Sequence, residues 1–167
     1  MYTKEQLIVS IQNEFRIIKH LADKIPVDTE GYKPTEGQRT TLELLQYLSI
    51  IFVAATTAVQ KNDTSVFALF TERSKQVTLS NFAEMMDMQE AELVVLIASF
   101  TDADLETVIN LYNQGEKTKG VYLVESLLKW SAAYKTQLFL YIKSSGNSSI
   151  GTSNLWGGID MPSTLVQ

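Results

Sequence analysis

The stretch "RTTLELLQYLSIIFVAATTAVQK", Arg39 to Lys61, repeats apolar residues at steps of three and four over almost its whole length. Leu42, Leu45, Leu48, Phe52, Ala55 and Val59 fall on one helical line, and Leu44, Tyr47, Ile51, Ala54 and Ala58 on another. A helix apolar on so much of its girth must be buried on two sides, at the centre of a bundle or with one face in a subunit contact. The rest of the chain has to supply the covering stripes.

Upstream, "TKEQ" at Thr3 to Gln6 has the spacing of a capping box, so a first helix is expected to start there. Leu7, Ile11, Phe15, Ile18, Ala22 and Ile25 continue it as one stripe until Pro26. "PVDTEGYKPTEGQ" is a polar, proline- and glycine-bearing connection. Downstream of the second helix, "KNDTS" is a polar break and "VFALFTERSKQV" reads as a short helix or an irregular crossover. A third long helix opens near Ser80, with Phe82, Met85, Met86, Leu93, Leu96, Ile97 and Phe100 on its core side. Residues 101–119 are expected to be extended or frayed: Val108, Ile109, Leu111 and Tyr112 suit a helix extension or a short strand, and "NQGEKTKG" is a loop. A fourth helix is expected from Val121 to about Ser145, with Gly146 as its C-cap.

Four such patterns predict an all-α fold, a four-helix bundle over residues 1–146, with a long crossover between helices two and three. Residues 147–167 form an irregular tail, partly packed on the bundle through Leu155 and Trp156, with a mobile end expected. A chain of 167 residues is one ordinary domain. The apolar fraction of 45% with 20% charged residues is that of a folded, soluble protein.

Fourteen basic against nineteen acidic residues leave a charge of -5, without the positive field that nucleic acid requires, so no nucleic-acid partner is expected. The absence of cysteine excludes disulfides and thiolate chemistry. No apolar run approaches the roughly 20 residues of a membrane span, and the beginning of the chain does not read as a signal peptide. The expected setting is cytoplasmic, without a membrane partner.

No phosphate-binding, nucleophile-elbow or H-E-x-x-H motif is present. The single histidine, His20, lies beside the stripe of helix one and reads first as a boundary residue, second as a pocket acid or base. The acidic residues Glu84, Asp87, Glu90 and Glu92 read as a solvated helix face, and Met85, Met86 and Met88 as adaptable core.

Two motifs carry a family resemblance: "RTTLELLQYL" on helix two and "AYKTQLFLYIKSSG" on helix four. In motif order, length and helix layout, from Thr3 to Gly146, the chain resembles the DinB/YfiT-like superfamily of bacterial helical bundles. The resemblance implies that members with intact sites hold a divalent metal with three histidines, one after "ELL-x" and two as H-x-x-x-H just before "R-x-Q-L". It further implies, for such members, thiol-cofactor-dependent transferase or isomerase activity. On this sequence the three ligand positions fall at Tyr47, Trp130 and Tyr134.

Neutral phenol is a poor ligand for zinc or nickel, and the indole N–H has no lone pair to donate, so no cofactor is expected. One buried Tyr or Trp fills about 150–250 Å² of surface, which favours the three aromatics as packing in a former metal cavity. An open pocket around His20, Glu43, Tyr47, Trp130, Tyr134 and Gln137, holding a small apolar ligand, is the competing expectation. The enzyme alternative keeps a divalent metal, zinc or nickel, on non-family ligands such as His20 and Glu43. A homodimer is expected from the doubly apolar second helix.

Overall fold

The computed structural model describes residues 3–161, and its first helix begins at a reciprocal cap. Thr3 Oγ1 accepts from the Gln6 N–H at 3.2 Å, and the Gln6 side chain accepts from the Thr3 N–H at 3.0 Å. Helix α1 spans Lys4–Ala22 and buries Leu7, Ile11, Phe15, Ile18 and Leu21. It stops short of Ile25, because the last two residues bond three positions back (Lys24 N–H to Leu21 O, Ile25 N–H to Ala22 O) and tighten the chain into the turn before Pro26.

The second helix opens on another capping box, Thr40 with Glu43, but it is not continuous. Helix α2 covers Thr41–Leu48 and α3 covers Ile51–Lys61, with a bend of 41° between them. The cause is a side chain inserted into the helical ladder. In an unbroken helix the Phe52 N–H would donate to the Leu48 carbonyl. Here the fully buried Gln89 stands between them: its carboxamide oxygen accepts from Phe52 N–H at 3.0 Å and Val53 N–H at 3.3 Å, and its Nε2 donates to Leu48 O at 2.9 Å.

Both apolar faces of this bent rod are covered within the chain, so the bundle centre accounts for them without a subunit contact. Among the described residues no single helix is long and apolar enough to cross a membrane; the bent α2–α3 pair has the composition for it because it is the core element.

The crossover to the third rod contains helix α4, Phe67–Ser74, preceded by a single 3-10 turn over Thr64–Val66. Helix α5, Phe82–Ala98, carries Gln89 and buries Phe82, Met86, Leu93 and Ile97. The region left open between helix and strand divides into a short helix α6, Asp102–Glu106, and an antiparallel hairpin of β1, Val108–Asn110, and β2, Glu116–Thr118, with Ile109 opposite Lys117. The hairpin is fastened from beneath. The buried Tyr122 hydroxyl donates towards Leu111 O and Gly115 O and accepts from Leu111 N–H, at 2.7–3.0 Å.

The last rod begins two residues earlier than its apolar pattern, because Thr118 caps it. It runs through α7, Lys119–Val124, a π-helical segment, Glu125–Lys129, and α8, Trp130–Ser144. Gly146 lies just past its end at φ +131, where Asn147 N–H closes back on Ile142 O at 3.1 Å. The rods pack as a ring: α1 lies against α5 and α8, and α3 lies against α5 and the α7–π segment.

The tail returns over α1. Ile150 and Leu155 are buried, and Arg16 donates to the carbonyls of Gly157 at 2.8 Å and Gly158 at 3.1 Å. Gly158 is required there: at φ +57, a Cβ would sit 2.9 Å from the Arg16 guanidinium and 3.2 Å from Ile17 Cα. The side chain of Lys135, 1% exposed, is enclosed under this tail, with its Nζ 2.6 Å from Glu14 and 4.8 Å from the Trp156 ring centroid. The mobility expected of the tail's end concerns residues 162–167, outside those described.

Candidate functional site

Tyr47 occupies the last turn of α2, immediately before the break that Gln89 holds open. Tyr134 reaches it from α8: the rings meet edge to face with centroids 5.0 Å apart, and the two hydroxyls lie 3.3 Å apart. Arg39, just ahead of the Thr40 cap, lays its guanidinium 4.1 Å from the Tyr47 centroid. Burial, reinforced by the hydrogen bond to Tyr134, pushes the Tyr47 phenol far above its ordinary range. Tyr47 is therefore neutral at any physiological pH.

Trp130 is the first residue after the π segment, whose wider turn changes the helical register in front of it. Its ring meets Tyr112, from the hairpin loop, at 5.6 Å and 61°. Tyr112 in turn meets Phe67 of α4 and Tyr122 of α7, each at 6.2 Å. Tyr112 and the following Asn113 both have φ +56, so two consecutive left-handed residues fold the Tyr112 side chain back under the loop. Its hydroxyl is buried and has no hydrogen-bond partner among the described residues. Burial, with Tyr122 beside it, pushes this phenol up to about 12.

Between these walls lies a recess of about 760 Å³. Tyr47, Phe67, Tyr112 and Trp130 line it, with Asp63 and the Asn62 and Asn113 amides at its margin. The Tyr47–Tyr134 pair packs as a core plug would, yet the space beside Tyr47 and Trp130 stays open.

No family model matches the sequence. An uncharacterised protein of Bacillus subtilis (strain 168), YjoA, is 20% identical over 151 residues, 90% of this chain and 96% of its own. The crystal structure of YjoA, described as a DinB-like protein, aligns with a TM-score of 0.67 at 19% identity, over 87% of this chain and 95% of that one. The fold is DinB-like.

In this DinB-like bundle the resemblance puts the metal-ligand positions at Tyr47, Trp130 and Tyr134; Tyr47 and Trp130 line the recess, and Tyr134 packs on Tyr47 without lining it. As a donor set they fit a divalent cation poorly: two phenols, one of them held neutral by burial, and an indole without a lone pair. Among the described residues no group of three His, Asp or Glu side chains is placed to hold a metal ion.

The remaining expected pocket residues are dispersed. His20 lies under the tail, its Nε2 3.0 Å from Asn154 Nδ2 and 3.6 Å from Asp160. Glu43 is exposed and engaged in its capping box, accepting from Thr40 N–H at 2.7 Å. His20 and Glu43 thus serve separate hydrogen-bond networks. Gln137 stands behind the aromatic wall, donating to the Tyr141 hydroxyl at 2.9 Å, which donates to Arg39 O at 3.0 Å. Phe67 and Tyr112 were missed because they come from the crossover and an irregular loop, where helical spacing is silent. The sequence places Tyr112 in a helix extension or a short strand, whereas it stands in the hairpin loop after β1.

Proposed function

We propose that this DinB-like chain does without the metal chemistry of histidine-bearing members and works by binding a small organic molecule in the recess. The observation carrying this reading is a ligand-sized space, about 760 Å³, lined by the side chains of Tyr47, Phe67, Tyr112 and Trp130. Small-molecule sites typically occupy about 300–1,000 Å³ and combine apolar walls with a few polar groups that fix orientation. The proposal keeps the cytoplasmic setting read from the sequence.

Ligand-detected NMR with a fragment set of neutral, anionic and cationic aromatic compounds tests the reading. Binding should be present with the natural chain and lost with Thr64→Trp, which fills the recess from its margin while leaving the circular dichroism unchanged. If no fragment of any charge distinguishes the two proteins, the recess is not a ligand site.

Self-association is a second reading, supported by an apolar groove of about 590 Å³ between α3, α4 and α5, where Val95 is 71% exposed. A strict monomer in light scattering at high concentration would remove it.

A further inference from the structure

We infer that the recess selects organic ammonium ions over neutral or anionic molecules of the same shape. The inference rests on the reading of the recess as a ligand site and adds the charge of what it takes.

Four aromatic residues line the recess together with Asp63, and among the described residues no lysine, arginine or histidine lines it. The faces of such rings carry negative potential that attracts a cation. Phe67, Tyr112 and Trp130 are not a parallel stack: successive planes turn by 69° and 61°, so the rings form the walls of a corner. One face of the Tyr47 ring already carries the Arg39 guanidinium, which leaves Phe67, Tyr112 and Trp130 as the lining rings without a cation of their own among the described residues. Arg39 is exposed and is not among the lining residues.

Asp63 supplies a full negative charge. Its carboxylate accepts from Ser65 N–H at 2.8 Å and Ser65 Oγ at 2.7 Å, and these bonds hold it ionised, well below the usual carboxylate range. The chain's charge of -5 acts in the same direction at long range. An anion would meet the aromatic faces and Asp63 without a countercharge from any lining residue.

The test uses the full chain with Trp156→Phe, which leaves Trp130 as the one tryptophan. Benzyltrimethylammonium, its carbon isostere neopentylbenzene and the anion 4-phenylbutyrate are titrated at low ionic strength while Trp130 emission is followed. The ammonium should bind saturably and about threefold more tightly than the isostere, the range a solvent-open cation–π contact supplies. Asp63→Asn, which preserves the cap on Ser65, should weaken the ammonium several-fold and leave the isostere unchanged. Equal binding of isostere and ammonium, or tighter binding of phenylbutyrate, would overturn the charge selectivity and leave the recess standing as a ligand site. Failure of all three to bind would overturn both.

Discussion

Replacing Gln89 by leucine would strand three backbone groups at once, because Leu48 O, Phe52 N–H and Val53 N–H all meet that one carboxamide in a fully buried place. Each unsatisfied buried group costs about 1–3 kcal/mol, and partial rejoining of the helix would recover some of it, so Gln89→Leu should lower stability by about 2–4 kcal/mol in urea unfolding. A loss below about 1 kcal/mol would mean that α2 and α3 rejoin without difficulty. Two tyrosines make a sharper pair. Tyr122→Phe removes a hydroxyl with three backbone partners and should cost about 1–3 kcal/mol, whereas Tyr112→Phe removes one with none and should be neutral within about 0.5 kcal/mol, or stabilising. Equal losses for the two would show that Tyr112 has a partner after all. None of this was legible in the sequence: Gln89 sits in "EMMDMQEAE", where its neighbours mark a solvated face, and an amide there looks like one more surface residue.

At the level of elements, apolar spacing located the long helices well, and it failed where a tertiary contact overrides local preference. The period from Leu42 to Val59 runs straight through the break because the same side chains remain buried on either side of it. The π segment before Trp130 turns the buried stripe from Leu123 and Leu127 onto Ser131, Lys135 and Leu138, a shift that the apolar spacing hides because Ser131 and Lys135 are polar. The tail's anchorage depends on polar atoms, to which a hydrophobic pattern is blind. Asp160 pairs with Lys24 at 2.6 Å and accepts from Asn154 Nδ2 at 2.9 Å. The hydrogen bond from Lys24 is the main cause holding its carboxyl below the usual range. A carboxyl depressed in the folded state contributes stability above its unfolded value of about 3.9, and that contribution is lost as pH falls through the lower folded value. Trp156 emission should therefore stay constant from pH 7 to about pH 5 and change only in stronger acid, while Asp160→Asn should show the changed emission already at pH 7. An unchanged spectrum in Asp160→Asn would mean that Arg16 and Leu155 hold the tail without it.

For the whole molecule, the DinB-like arrangement was legible because two short motifs lie in the right order on the second and fourth rods. The space they frame was not, since its other walls come from α4 and the hairpin loop. The poor donor set of Tyr47, Trp130 and Tyr134 makes a clear prediction: dialysed protein should retain no stoichiometric zinc or nickel, and either ion added in excess should leave the thermal midpoint unmoved, because a ligand that binds only the native state must raise it. Stoichiometric metal that disappears in His20→Ala would instead place a metal under the tail.

That tail also bears on the order in which the chain is made. During synthesis the rods emerge first, and domains begin to fold before the last residues leave the ribosome. Arg16, His20 and Lys24, all on the first helix or just beyond it, then wait for partners at Gly157, Gly158, Asn154 and Asp160. Lys135 likewise lacks the indole that covers it until Trp156 has been added. A nascent chain that has completed all four rods is thus still unfinished along the face of its first helix, and that face stays open until residues 154–160 have followed.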